Sequence, residues 1–183
     1  MKKKVDTIVL DARPGKGVEY GFQLPRQTLD VDNLIAACTQ KLSVDPTHEK
    51  ALFIRASSFV KRGMFDEAIA DCNKLMDMNP HNPNAFYVRG TAYERLGELE
   101  MSLQDFSHVL DLDPTHVNAA YSRAAAENRR GNYFQAIADY NLALKLDSRE
   151  AMDGGGLTRK AMQFGLESAE REEDKQAANT SMN

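Results

Sequence analysis

The feature that most constrains this chain is a spacing of 34 residues that recurs along most of its length. Proline stands at Pro46, Pro80 and Pro114, and Ser148 occupies the next place in phase. Four other series keep the same spacing: the closing tripeptides VDP, MNP, LDP and LDS, the glycines Gly63, Gly97 and Gly131, the arginines Arg55, Arg89 and Arg123, and the aspartates Asp71, Asp105 and Asp139. Several independent series at one fixed period indicate a stack of similar supersecondary units.

Each unit predicts two helices. Leu52, Ala56 and Phe59 recur at helical spacing and give the first segment an apolar stripe. A glycine follows at mid-unit, where the left-handed backbone that ends many helices suits it. A second apolar stripe comes next, and proline, which disfavours helix in the residue before it, closes the unit. The positions predicted to end the second helices are Asp45, Asn79 and Asp113.

The 34-residue helix pair resembles the tetratricopeptide repeat family, which also has small residues at the positions of Gly90 and Ala124, alanine at those of Ala68 and Ala136, and a closing proline. The resemblance covers residues 49–148 as three units, and residues 30–46 match the second helix of a partial unit, with Cys38 in the phase of Cys72. Two residues depart from the pattern: Ser102 replaces an alanine and Glu127 replaces an aromatic residue. The resemblance implies an all-α, right-handed solenoid of helix-turn-helix repeats.

These observations divide the chain into seven segments. They are an extended N-terminal arm at 1–28, the partial repeat at 29–48, three repeats at 49–82, 83–116 and 117–150, a capping helix at 151–175 and a disordered tail at 176–183.

The arm contains Gly15, Gly17, Gly21 and Pro25, which predict against a helix there. Its apolar residues alternate with others, a pattern typical of an extended segment with one apolar edge: Val18, Tyr20, Phe22 and Leu24. The arm either lies back on residues 30–44 as a cap, which we favour, or stays open as a docking strand for another protein.

At the other end, three glycines at 154–156 predict a break, and a terminal helix follows. The positions at helical spacing that we expect to form its apolar face are Leu157, Ala161, Phe164 and Ser168. Such a helix would seal the last repeat, as terminal units of repeat proteins do.

Composition excludes several classes of function. The net charge of −4 and the lack of a basic stripe argue against nucleic-acid binding. The longest run without a formal charge is short of the roughly 20 apolar residues of a spanning helix, which argues against membrane insertion. Cys38 and Cys72 form no C-x-x-C pair and no Cys/His cluster, so we expect no metal, no cofactor and a reducing compartment.

In the family, the first helices of successive units line a concave groove that commonly binds extended peptides. The resemblance therefore implies a peptide groove lined by nine residues of this chain: Lys50, Phe53, Ser57, Asn84, Tyr87, Thr91, Asn118, Tyr121 and Ala125. Tyrosine offers apolar area with a hydroxyl, and asparagine offers both a donor and an acceptor. The alternative is that the aromatic series packs between adjacent helices.

One subclass of the family holds the C-terminal carboxylates of chaperone tails with lysine, asparagine and arginine on the first helices. The corresponding positions here are Phe53, Ser57, Val88, Asn118 and Ser122. Since these are not the clamp residues, we do not expect binding of chaperone tails by that mechanism.

The sequence therefore predicts a non-enzymatic cytoplasmic adaptor or scaffold that binds an extended segment of another protein. The alternative is a structural subunit of a cytoskeletal assembly, axonemal or centriolar, that contacts partners through the arm and the outer surface and has a cytoskeletal or ciliary location. A third hypothesis is a targeting or regulatory module for an enzyme.

Overall fold

The structure is a computed structural model that describes residues 30–150 and 156–181, with side chains for 30–147 and 160–180. This part of the chain contains eight α-helices and no strand. The first six have 14 residues each. In chain order the helices are α1 Val31–Val44, α2 Glu49–Arg62, α3 Phe65–Met78, α4 Pro83–Leu96, α5 Leu99–Leu112, α6 Val117–Arg130, α7 Tyr133–Glu150 and α8 Gly156–Ser181. The predicted all-α fold is confirmed.

The mid-unit glycines end the first helices, as predicted. Gly63, Gly97 and Gly131 have φ of 77°, 86° and 84°, in the left-handed region that glycine adopts without steric cost. The amide of the following residue donates back to the helix, for example from Met64 to the carbonyl of Phe59 at 2.9 Å. This bond closes a reverse turn between the two helices of a unit.

The residue before each repeat proline ends a second helix, which confirms the prediction for Asp45, Asn79 and Asp113. Each also accepts a hydrogen bond from the backbone amide two residues later, as Asp113 does from Thr115 at 3.0 Å. The next helix begins at a side-chain cap: the imidazole Nδ1 of His48 accepts from the amide of Ala51, and that of His116 from Ala119. The short turns at the repeat prolines therefore fix both helix boundaries locally.

The helices stack in chain order, with α2–α3, α4–α5 and α6–α7 as the three complete pairs. A β-carbon added at Gly90 would lie 2.9 Å from Cε1 of Phe106 and 3.1 Å from Cβ of Asp105. The two helices of this repeat therefore cross closely at Gly90. Phe106, Leu52 and Leu75 are fully buried in the resulting core.

The terminal helix packs on α7 and α6, but its buried face differs from the predicted one. Met162 and Ala169 are fully buried, whereas Ala161 is exposed and Phe164 is 69% exposed. The reason is Gly165, where an added β-carbon would lie 2.5 Å from Cζ of Tyr140. Only a residue without a side chain fits against that ring, so the helix is rotated to bring Gly165 inward.

The predicted disordered tail at 176–183 also needs correction, because α8 continues through Ser181. Gln176 and two alanines favour helix, and adding residues to an existing helix costs far less than nucleating one. The predicted arm at 1–28 and the glycine break before Gly156 lie outside the described residues.

Candidate functional site

The first helices of successive pairs form one continuous surface. α2 contacts α4, α4 contacts α6 and α6 contacts α8, whereas successive second helices make no comparable contacts in the described residues. Helices that approach each other lie on the inner side of a curved stack, and helices that diverge lie on its outer side. We call α2, α4, α6 and α8 the inner helices, and α1, α3, α5 and α7 the outer helices.

The predicted aromatic row lies on the inner helices, and its rings are half-buried. Phe53 packs against core clusters that include Leu52 and Val88. The ring centroid of Tyr87 lies 5.8 Å from that of Phe106 and 5.0 Å from that of His116. Packing between helices, the alternative interpretation, therefore occupies part of each ring, and the remainder of each ring is exposed.

Tyr121 completes this row at its C-terminal end. Its ring centroid lies 5.9 Å from that of Tyr140, which belongs to the outer helix α7. Burial raises the pKa of Tyr140, and the nearby Tyr121 raises it further, while a hydrogen bond with Asn128 opposes the shift. Tyr140 thus links the outer helix α7 to the inner helix α6.

The other six predicted groove residues are distributed over the same three helices. Lys50 and Asn118 are exposed, and the half-buried ones are Ser57, Asn84, Thr91 and Ala125. The hydroxyl of Thr91 donates to the carbonyl of Tyr87 at 2.8 Å, so its hydrogen is engaged within α4. The structure places all nine predicted residues on α2, α4 and α6, but their role in binding stays a prediction.

The arginine and aspartate series form one repeated cluster. Nε and Nη2 of Arg89 donate to both carboxylate oxygens of Asp105, at 2.8 and 2.7 Å. Arg55 pairs with Asp71 and Arg123 with Asp139 in the same two-pronged geometry. Each arginine thus meets the aspartate of its own unit.

A third hydrogen bond connects each arginine to the preceding outer helix. Nη1 of Arg89 donates to Asn73 at 2.7 Å, and the equivalent acceptors are Thr39 for Arg55 and Ser107 for Arg123. The aspartate hydrogen bond raises the pKa of each arginine, so the guanidinium remains charged. The cluster joins three successive helices, and this geometry favours a structural role over a charged binding row.

Sequence reasoning missed a polar pair on the inner surface. Nη1 of Arg129, in the last turn of α6, lies 3.0 Å from Oε1 of Glu94 on α4. Arg129 belongs to a further series at the same period, with Arg95 and Lys61 one and two units earlier. The spacing of 34 residues was the signal that could have identified this row.

The cysteines and titratable clusters show no sign of catalytic chemistry in the described residues. Cys38 and Cys72 are free and lie buried in the core. Burial raises the pKa of the Cys72 thiol to about 12, so it is not an activated nucleophile. No three His, Cys, Asp or Glu side chains in residues 30–147 and 160–180 lie together as metal ligands.

No helix in the described ranges combines the length and apolar character needed to cross a bilayer.

Stacked two-helix units with a shared inner surface define an α-solenoid. The family model for the tetratricopeptide repeat matches residues 53–115 and 87–151, which together cover more than half of the chain. This chain belongs to the tetratricopeptide repeat family. A comparison with curated proteins finds no match to the sequence.

Solved structures support the same fold. A crystal structure of MamA is 22% identical, with a TM-score of 0.61, and the match covers 81% of this chain and 92% of that one. The TPR2B domain of yeast Sti1 in complex with pHsp70 is 14% identical, with a TM-score of 0.62 over 67% of this chain and 96% of that one. The type III secretion translocator chaperone SycD of Yersinia enterocolitica is 14% identical, with a TM-score of 0.63 over 74% and 88%. At these identities the likeness shows the fold alone.

Proposed function

We propose that this chain is a non-enzymatic protein-interaction module that holds an extended segment of a partner protein against α2, α4 and α6. The observation that carries the proposal is the row of half-buried aromatic rings in repeat register on three inner helices. A cytoplasmic adaptor or scaffold is the role that fits such a surface.

The chemistry of this surface suits a peptide. Rings that are already packed on one side lose little conformational freedom on binding, because Phe53, Tyr87 and Tyr121 are fixed before a partner arrives. Asn118 is exposed at the N-terminal end of α6, where its amide can pair with either backbone group of an extended chain. The apolar row would supply affinity, and the amide would supply orientation.

Two structural neighbours support binding to protein partners in general. The yeast Sti1 domain was solved with pHsp70, and SycD is a translocator chaperone. The carboxylate-clamp positions of this chain hold other residues, among them Phe53 and Val88, so we do not propose the same ligand.

A library of displayed random peptides of about 12 residues, which span about 40 Å when extended, would test the proposal. We expect the intact protein to select binders whose affinity falls roughly thirtyfold in Tyr87→Ala, as for an interface hot spot worth about 2 kcal/mol. Circular dichroism would establish that the variant is folded, since Tyr87 also packs on Phe106.

A milder matched pair keeps the test decisive if Tyr87→Ala does not fold. Asn118→Ala changes an exposed amide on an inner helix, and Asn141→Ala makes the same change at an exposed site on the outer helix α7. Loss of affinity only in Asn118→Ala supports the inner surface. Equal affinity of both variants and of wild type contradicts it.

The alternative of a structural subunit in a cytoskeletal assembly has one observation in its favour. Phe134, on the outer helix α7, is 75% exposed, and aromatic side chains are common anchors of contacts between proteins. Binders that depend on Phe134 and are unaffected by Tyr87→Ala would favour this alternative over the peptide-binding module.

A further inference from the structure

In the three complete helix pairs, charge is divided between the inner and the outer helix. α2, α4 and α6 contain nine basic and three acidic residues, whereas α3, α5 and α7 contain three basic and ten acidic residues. Each arginine–aspartate pair joins one basic residue of an inner helix to one acidic residue of an outer helix. The difference in charge therefore remains when the three pairs are left out of the count. The inner helices α2, α4 and α6 therefore carry a net positive charge in a protein whose net charge is −4, although two of their cations, Arg62 and Arg130, pair with acids on outer helices.

One cation of this surface lacks the partner that its repeat equivalent has. Arg129 on α6 pairs with Glu94 on α4. One unit earlier, Arg95 stands in the place of Arg129, and Val60 stands in the place of Glu94. Arg95 is exposed and has no ion pair within the described residues. A cation in the last turn stabilises the C-terminus of a helix, and this effect accounts for the presence of an arginine there in α4. It does not account for the absence of the glutamate that pairs with the equivalent arginine one unit later.

A second exposed cation, Lys61, occupies the same position on the neighbouring helix α2. Packed helices lie about 8–10 Å apart. A peptide in the extended polyproline II conformation covers that distance in about three residues, at about 3.1 Å each, and its side chains return to the same face every three residues. Two carboxylates three residues apart would therefore match Lys61 and Arg95.

The apolar row lies on the same helices. Tyr87 precedes Arg95 by two helical turns, which places the two side chains about 12 Å apart along α4. Val60, which packs beside Phe59 and Ala92, provides an apolar surface at the missing glutamate position. A ligand carboxylate near Arg95 would be partly shielded from water there, and shielding strengthens a charge-assisted hydrogen bond.

We propose that α2 and α4 bind an extended acidic segment of a partner protein, with one carboxylate on Arg95 and a second, about three residues away, on Lys61. This inference rests on the proposed peptide-binding function and specifies the chemistry of its ligand. Val60 stands where the next unit has Glu94, the partner of Arg129, and the ligand carboxylate takes the corresponding place beside Arg95.

The displayed peptide library described above is the probe. Peptides selected by the intact protein should contain Asp or Glu at a three-residue spacing, and raised salt should weaken them. Arg95→Glu should lower the affinity of a selected peptide about tenfold or more. Lys74→Glu makes the same charge change at an exposed site on the outer helix α3 and should change it by less than about twofold.

The possible failures are distinguishable. Peptides that lose affinity in Tyr87→Ala but show no acidic enrichment and tolerate Arg95→Glu would overturn the acidic ligand and leave the peptide-binding function standing. Peptides insensitive to both variants would overturn both. Tighter binding of a single-stranded oligonucleotide, with the same dependence on Arg95, would overturn the assignment of a protein partner.

Discussion

The twentieth residue of each repeat is small and buried. In one of the three repeats this residue carries a polar atom that has no hydrogen-bond partner. Ala68, Ser102 and Ala136 occupy this position on α3, α5 and α7 and have no exposed area. The hydroxyl of Ser102 makes no hydrogen bond in the described structure. A buried hydroxyl without a partner loses its interactions with water and gains nothing in exchange.

Replacement of Ser102 by alanine should therefore stabilise the protein. We expect the free energy of unfolding to rise by about 1–2 kcal/mol, from the removed desolvation cost and the better helix propensity of alanine. Chemical denaturation monitored by circular dichroism measures the change. Ser58→Ala is the matched control, because Ser58 is equally buried but donates to the carbonyl of Ile54 at 2.7 Å. A gain no larger in Ser102→Ala than in the control would contradict this account.

At the scale of helices, two glycines set how closely neighbouring elements approach. Gly90 lies against Phe106 within a repeat, and Gly165 lies against Tyr140 where the terminal helix meets α7. Tyr140 and Phe106 occupy the same repeat position. The first unit has Cys72 at this position, and all three residues are buried. The capping helix therefore packs against a core position of the last repeat.

Gly165→Ala should detach α8 even though alanine favours helix. A new β-carbon would lie 2.5 Å from Cζ of Tyr140, and overpacking of this kind costs about 1–3 kcal/mol, which exceeds the gain in helix propensity of about 1 kcal/mol. Hydrogen exchange should show loss of protection in α8 and α7, with the earlier repeats unchanged. Gln163→Ala, at an exposed position of the same helix, should leave protection intact. An unchanged exchange pattern in Gly165→Ala would mean that α8 packs by another face.

At the scale of the whole molecule, the two ends of the stack differ. The last outer helix, α7, is covered by α8. The first, α1, packs on α2, and its Leu34 is only half-buried where the equivalent residues of later units have no exposed area. Uncovered ends of repeat proteins lower solubility and stability, so something should cover α1.

Deletion of residues 1–28 should reveal the role of the arm. If the arm caps α1, the truncated protein should have a lower thermal midpoint and aggregate, and the amides around Val18–Leu24 should exchange slowly in the full chain. We expect this result. Removal of residues 176–183, whose described side chains are exposed, is the control and should change neither property. A soluble truncated protein that loses its partner would instead identify the arm as a docking strand.

Local rules in the sequence determined the repeat register and the helix boundaries. A glycine that adopts positive φ and an acid or amide before proline each act through residues within five positions along the chain. The family assignment follows from the same spacing. These features are predictable because short-range sterics and capping determine them, regardless of which distant residues pack against the helices.

Only the tertiary structure decided which residues meet across helices. The pairing of each arginine within its own unit, the rotation of α8 around Gly165, and the contact of Arg129 with Glu94 all depend on how one helix is turned about its axis against another. The same holds for the aromatic row, whose rings are shared between core and surface. A periodic pattern places side chains on a helix face to within about one residue, or 100° of rotation, whereas a contact requires both partners to lie within a few ångströms. That precision comes from packing between residues distant in sequence.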